Sequence, residues 1–450
     1  MKPTPKFVPG LPVLGNVLAF QKDRNALMRR GLEEIGPVFG LKLFRQNAAV
    51  LIGPELHQVF FMETDKKLSM HKTYRFLRAM LGEVAFTAPP ETYFKHRPVL
   101  HAPFRREKML AYVEVMQEEI ERWLAGLPDS GQMDLNAEII RLVQRVAGHA
   151  FMGRDFINRF DQDFWALYGD LSKGMDPILP PDLPLPKFRR RDAARNKLIA
   201  MLTPYFLERR RSPDKFDDFL QDLINTPYKD GSPVEDDILI NMILGLVFAG
   251  HETTAGQAAW AVIELARNSQ YAAQVRQEAE RLLPSGLPIT QELLNQLKYT
   301  EWAVREVERL HPSTDILIRM VEEEIEVGDY RIPPGWIVFV NAFTAQRLPT
   351  LFQDPERFDP LRFAPGREED KQHRFALITF GGGMHKCVGM NFAYNEMMII
   401  AALLLRDFDL ELCTPEVRHD SSLGASRPSR TVIQFRRRNS HPTAIIQAEN

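Results

Sequence analysis

The segment richest in chemistry is Phe380-Gly381-Gly382-Gly383-Met384-His385-Lys386-Cys387-Val388-Gly389. Its cysteine stands just ahead of an apolar stretch with helical spacing, and the partial positive charge at a helix N-terminus favours thiolate over thiol. Three glycines allow a tight loop whose backbone amides approach a sulfur closely. Phe380 is placed to shield that sulfur from water. These are the requirements of an axial thiolate ligand to haem iron. A lone cysteine is more often an inert core residue, so the loop by itself leaves both readings open.

Two further clusters have the right residue types. Glu306-Val307-Glu308-Arg309 precedes His311-Pro312, and residues three apart on a helix share a face, so Glu306 and Arg309 can pair. A surface charge lattice worth tenths of a kcal/mol would look the same. In Ala249-Gly250-His251-Glu252-Thr253-Thr254, helical spacing puts Leu246, Ala249, Gly250 and Thr253 on one face. Small residues there admit a flat cofactor and a diatomic ligand to the backbone. Thr253 offers a hydroxyl to such a ligand, and Glu252, about 100° away around the helix, is placed to relay protons through water. A plain polar patch beside a glycine fits those residues as well.

The elements that must carry these groups follow from periodicity. Pro3, Pro5, Pro9 and Pro12 predict an extended N-terminal segment. Val38 to Phe44 and Ala48 to Ile52 read as strands. Helical spacing dominates from about Pro90 to Arg211, as in Ile120, Trp123, Leu124 and Leu127, or Ile139, Ile140, Val143 and Val146. Pro177, Pro180, Pro181, Pro184 and Pro186 predict a long loop, a lid or a simple connector. Arg189 to Arg191 and Arg209 to Arg211 read as solvated helix faces. A very long helix is expected from Ser232, capped by Ser232 with Glu235 and with Pro233 in its first turn, onward to Leu265. Short strands containing Ile316 to Met320 and Trp336 to Val340 follow. A loop-rich stretch from Thr344 to Lys386 then leads to a last helix over Asn391 to Arg406. The expectation is a mainly α chain with β-rich portions at about 36–60 and 313–343.

Composition narrows the function. The 450 residues carry 57 Lys plus Arg against 59 Asp plus Glu, which supports neither a nucleic-acid coat nor a polybasic anchor. Two cysteines, Cys387 and Cys413, exclude a disulfide framework and favour a reducing compartment. The longest apolar run, Met397 to Leu405, is far short of the about 20 residues that span a bilayer. No signal peptide is apparent after Met-Lys-Pro-Thr-Pro-Lys, and a cytoplasmic location is expected.

The 380–389 segment resembles the F-G-x-G-x-H-x-C-x-G haem loop of the cytochrome P450 superfamily, and the other clusters match that family in order along nearly the whole chain. The resemblance implies the P450 fold: one mainly helical domain over 1–450, a large helical lobe with a small β-rich lobe. It implies haem b on Cys387, with Phe380 shielding the thiolate. E-x-x-R together with Pro355-Glu356-Arg357-Phe358 implies a buried ion network of Glu306, Arg309 and Arg357 bracing the haem loop. Ala249 to Thr254 resembles the oxygen-activation motif, with Thr253 and Glu252 delivering protons and Ala249 and Gly250 against the cofactor. Tyr93-Phe94-Lys95-His96-Arg97 is similar to W-x-x-x-R, with Tyr93 in place of tryptophan. Arg97, with His96 as its substitute, Arg319 and His385 are then the expected propionate partners.

Within the superfamily, Tyr74-Arg75-Phe76-Leu77 with Gly82-Glu83, Asp176 to Asp192, and Phe248 to His251 resemble sterol 14α-demethylases. That branch usually has histidine where this chain has Glu252. Tyr74, Phe76, Leu77, Phe86 and Leu246 are the expected substrate contacts. The activity implied is hydroxylation of a hydrophobic small molecule (sterol, terpenoid, fatty acid or polyketide-like) with O2. The rivals are sterol 14α-demethylation proper and a peroxygenase or isomerase. Electrons would come from a ferredoxin or flavodoxin-type donor and its NAD(P)H reductase, docking near Lys386. A monomer is expected.

Overall fold

The computed structural model describes residues 2–176, 179–420 and 425–438. At its centre lies a single helix, Asp236–Arg267, 32 residues long. Its sequence is apolar almost all round, as suits a helix buried on most sides. It packs against helices Leu135–Met152, Lys298–Leu310 and Met390–Asp407, which form the main core with it. Among the described residues it is the one helix long and apolar enough to cross a membrane, and most of its apolar window is buried inside the fold. It begins three residues later than the capping pattern predicts. The Ser232 hydroxyl donates to Asp230 at 2.6 Å, and the N-cap position is Glu235, whose side chain makes no capping bond.

Helices Pro90–His101, Arg106–Gly126, Leu135–Met152, Arg154–Ser172 and Pro186–Arg211 fill the predicted helical stretch. The last two are separated by the proline-rich segment, of which Pro177 lies outside the described residues. Two of the arginines expected on solvated faces are buried. Arg191 pairs with Asp192 and donates to the Pro181 carbonyl. Arg209 bonds Asp218, the Tyr205 hydroxyl and the Met152 carbonyl. Their guanidiniums bridge helix to loop, which a reading of charge runs does not register.

The β-rich lobe is a five-stranded sheet. Its order is Val38–Leu43, Gln46–Leu51, Ile337–Asn341, Ile316–Val321, Leu68–Ser69. The two predicted β portions thus meet edge to edge, with Gln46–Leu51 parallel to Ile337–Asn341. Helix Pro54–Glu63 begins inside the first portion and runs past its end. Strands also occur in the expected helical remainder: Ser130–Asp134, Val432–Arg437 and Phe408–Leu412 form a three-stranded sheet. Val432–Arg437 alternates inward and outward residues, as a half-buried strand does. A short hairpin pairs His419–Asp420 with Arg427–Pro428 and rests on the central helix.

Candidate active site

The loop ahead of helix Met390–Asp407 is closed by its own backbone. The Cys387 amide donates to the Phe380 carbonyl at 2.9 Å, and the Gly381 amide to Ile378 at 2.8 Å. Gly381 and Gly383 take φ of 68° and 64°, where a side chain is strained. At Gly382 a Cβ would come within 2.8 Å of the Phe375 ring and 3.0 Å of Phe61. All three glycines are therefore required by the turn or its packing. Phe380 turns its ring to Tyr394 of the following helix, centroids 5.3 Å apart. Cys387 is exposed, yet protein crowds it enough that burial raises its thiol pKa, while the Gly389 and Met390 amides and Lys386 oppose that rise. Its sulfur is thus both open to a ligand and crowded by protein.

The central helix has a matching interruption. Its residues are buried from Leu239 to Gly245 and again from Thr254 to Leu265, but Ala249 between them is exposed, with Leu246, Phe248, Gly250, Glu252 and Thr253 partly so. The Thr253 hydroxyl donates to the Ala249 carbonyl at 2.6 Å, so its oxygen is left to accept a hydrogen bond from a ligand. Glu252 is 19% exposed, and burial raises its carboxyl pKa. His251 turns away, its Nδ1 on the Val247 carbonyl at 2.7 Å and its ring against Trp165 and Tyr168. Burial lowers its pKa to about 4, so it is neutral at physiological pH.

Three of the four expected propionate partners fall into one connected cluster. Arg319 is 2% exposed, with Nε on the Thr64 hydroxyl at 3.2 Å and Nη1 on its neighbour's carbonyl. Among the described residues no carboxylate lies within ion-pair distance of it, and burial lowers its pKa. Next to Thr64, Asp65 takes Nε2 of His385, whose ring stacks on Tyr93 at 4.3 Å. Tyr93 bonds the Met384 carbonyl at 3.1 Å and lies beside Arg97, whose buried Nε has no partner among the described residues. His96 stands apart: it is buried and stacked on Tyr228, burial lowers its pKa, and its Nδ1 has no partner among the described residues. A buried guanidinium without a counter-anion and a second with an orphaned donor call for an anionic group, and haem propionates meet that demand. Asp65, invisible as a motif, is an isolated acid in a turn.

The ion network is buried, with one change of member. Glu306 accepts from Arg309 Nε and Nη2 at 2.7 and 2.8 Å, and all three side chains of the network, Glu306, Arg309 and Arg362, have 0% exposure. The second cation is Arg362, whose Nε donates to Glu306 at 2.9 Å and whose Nη1 donates to Glu369 at 2.7 Å. Arg357, expected in that place, is exposed and contributes only its carbonyl, which accepts from Arg309 and Arg362. Pro355-Glu356-Arg357-Phe358 and Pro360-Leu361-Arg362-Phe363 share one Pro-x-Arg-Phe pattern. The second copy was the available signal. Gln346 joins the network to the cysteine loop: its Nε2 donates to the Arg309 carbonyl, and its Oε1 accepts from the Ile378 amide and the Thr379 hydroxyl.

Of the expected substrate contacts, Tyr74 packs its ring against Phe76 and Phe86, with centroids 6.3 and 5.8 Å away. These rings and Leu246 are partly exposed on the edge of the main core. Leu77 is 3% exposed, turned into that core, and offers no surface to a ligand.

A family model described as Cytochrome P450 matches residues 5–433. A protein named sterol 14-demethylase from Arabidopsis thaliana is 32% identical, covering 97% of this chain and 92% of its own. A sterol 14alpha-demethylase from Mycolicibacterium vanbaalenii is also 32% identical, over 97% and 99%. The solved structure described as retinoic acid bound cyanobacterial CYP120A1 superposes with a TM-score of 0.88 at 26% identity, covering 97% of this chain and all of that one.

Proposed function

This chain belongs to the cytochrome P450 family and is a haem-thiolate monooxygenase, and from that premise we propose that it hydroxylates a hydrophobic small molecule of sterol or terpenoid type, as one domain binding haem b. The observation that carries the reading is Cys387, accessible yet crowded on its glycine loop and served by the Gly389 and Met390 amides. Haem, when bound, supplies the reductive activation of O2 and the oxidising equivalent for the C–H bond. Cys387 would hold the iron, and Arg97 and Arg319 the propionates. The Asp65–His385–Tyr93 contacts fix the edge of the loop between those two cations.

Thr253 and Glu252 divide the proton work. With its own proton committed to the Ala249 carbonyl, the Thr253 oxygen is an acceptor that would hold a proton donor on the cofactor side of the helix. Glu252, whose raised pKa keeps it closer to neutrality, supplies protons through water. Thr253→Ala is expected to keep haem and ligand-induced absorption shifts while product per reducing equivalent falls and released hydrogen peroxide rises. Glu252→Gln is expected to slow turnover instead. Full coupling in Thr253→Ala would sink the assignment and favour a peroxygenase or isomerase.

Electrons would come from a ferredoxin or flavodoxin-type protein with its NAD(P)H reductase, in the cytoplasm, to a monomer; exposed Lys386 on the cysteine loop suits an acidic donor. The substrate class rests on the partly exposed rings of Tyr74, Phe76 and Phe86 and on the relatives' names. Sterol 14α-demethylation is favoured by those names, and Glu252 in place of histidine argues against it. Titration with lanosterol, obtusifoliol and retinoic acid, read by the haem absorption shift, tests this. Saturable shifts with the two sterols support the sterol reading. A shift with retinoic acid alone points to a linear isoprenoid, and none with any of the three rejects the class.

A further inference from the structure

The C-terminal hairpin approaches the central helix one turn beyond Glu252. A Cβ on Gly256 would meet the Ser426 carbonyl oxygen at 3.0 Å, Arg427 Cβ at 3.2 Å and Arg427 Cα at 3.4 Å. Only glycine lets the hairpin backbone lie this close. Residues 252 and 256 share a helix face, so Arg427 is seated beside the turn that bears Glu252. The hairpin is held there firmly. His419 Nε2 meets His311 Nδ1 at 3.0 Å, and His311 Nε2 meets Glu264 at 3.1 Å. His419 Nδ1 meets the Ser426 hydroxyl at 3.0 Å, and the Ser426 amide donates to the Ser313 carbonyl at 2.7 Å. Trp260 stacks on His311 with ring centroids 3.8 Å apart.

We propose that Arg427 is a positioning residue for oxygen activation: a hairpin cation that sets the protonation of Glu252 from outside its own helix. The inference rests on the reading of Glu252 as proton donor. The groups that face Glu252 are few. His251, at 3.9 Å on the same helix, is neutral, and Tyr168 on helix Arg154–Ser172 is an un-ionised phenol raised by burial and by Glu252 itself. Among the described residues Arg427 is the one charge that opposes the burial of Glu252. It does so at a distance, because its Nη2 is shared with Asp420, the residue opposite it in the hairpin, at 3.4 Å. Asp420 therefore divides the cation with Glu252. The hairpin could then tune proton supply without touching the haem, since a shift of Arg427 toward either acid changes how readily Glu252 gives up its proton.

Sign fixes the test. A cation favours the ionised carboxylate, so removing it raises the pH at which Glu252 loses its proton. The holoenzyme is titrated by infrared difference spectroscopy, following the protonated carboxyl band that Glu252→Gln abolishes. Arg427→Gln is expected to move that titration to higher pH with haem content unchanged, and Arg427→Lys to leave it near the parent. Asp420→Asn frees more of the cation and is expected to move it lower, a second arm that stands if Arg427→Gln folds poorly. The alkaline limb of oxygen consumption with a surrogate ferredoxin system should move in the same directions. An unmoved titration in both Arg427→Gln and Asp420→Asn overturns the inference while leaving Glu252 as donor. An alkaline limb that survives Glu252→Gln overturns the donor reading, and the inference with it.

Discussion

Cys387→Ala is expected to abolish the absorption band of the reduced carbon monoxide complex near the family's namesake wavelength, while Cys413→Ser leaves it intact. The two cysteines are both accessible but stand in different surroundings. Cys387 is crowded, with two backbone amides of the next helix's first turn aimed at its sulfur. Amide donors stabilise a thiolate without neutralising it, which leaves its electron density for a metal. Cys413 sits at a strand end, its amide bonded to the Val432 carbonyl and its sulfur touched only by weak contacts at 3.9 Å. Spectra of dithionite-reduced, CO-treated protein decide the matter, and a normal band in Cys387→Ala would remove the basis of the proposed chemistry.

What the sequence disclosed and what it hid divide along one physical line. The cysteine loop was legible because its constraints are local: positive φ at Gly381 and Gly383, and a ring packed where Gly382 would carry a Cβ, all within one turn. The central helix was legible by periodicity, though not its start, since Ser232 spends its hydroxyl on Asp230 instead of a cap. Contacts between distant segments were hidden. Asp65 meets His385 across 320 positions, and Gln346 meets Ile378 through a side-chain amide that no spacing announces. Strands Phe408–Leu412 and Val432–Arg437 pair with each other and with Ser130–Asp134, which local propensity cannot foretell. Leu77 and Phe76 are neighbours in sequence, and only the turn at Arg75–Leu77 decides which one faces the core.

Arg362 against Arg357 is the sharpest of these cases and gives the second large effect. Both lie in Pro-x-Arg-Phe, and burial alone separates them. Glu306, fully enclosed, has its charge balanced by Arg309 and Arg362 and also accepts the Asp359 amide at 2.9 Å. Removing one partner of such a set leaves a buried charge uncompensated, at a cost of about 3–5 kcal/mol, a large part of a total stability of about 5–15 kcal/mol. Glu306→Ala and Arg362→Leu are therefore expected to yield little haem-loaded protein. Arg357→Ala, which keeps the carbonyl that Arg309 and Arg362 use, should load normally. Arg362→Lys should fall between, because a lysine cannot serve Glu306 and Glu369 together with the fork that Arg362 offers. Haem-to-protein ratio and thermal unfolding measure both consequences. Low loading in Arg357→Ala with normal loading in Arg362→Leu would return the network to the first Pro-x-Arg-Phe copy. Gln346→Ala separates bracing from stability: the Glu306 ion pairs survive, but the Ile378 amide and Thr379 hydroxyl lose the acceptor that ties the cysteine loop to them. Faster haem loss at near-normal unfolding temperature is the expected signature, and it would locate the brace in that amide and not in the charges alone.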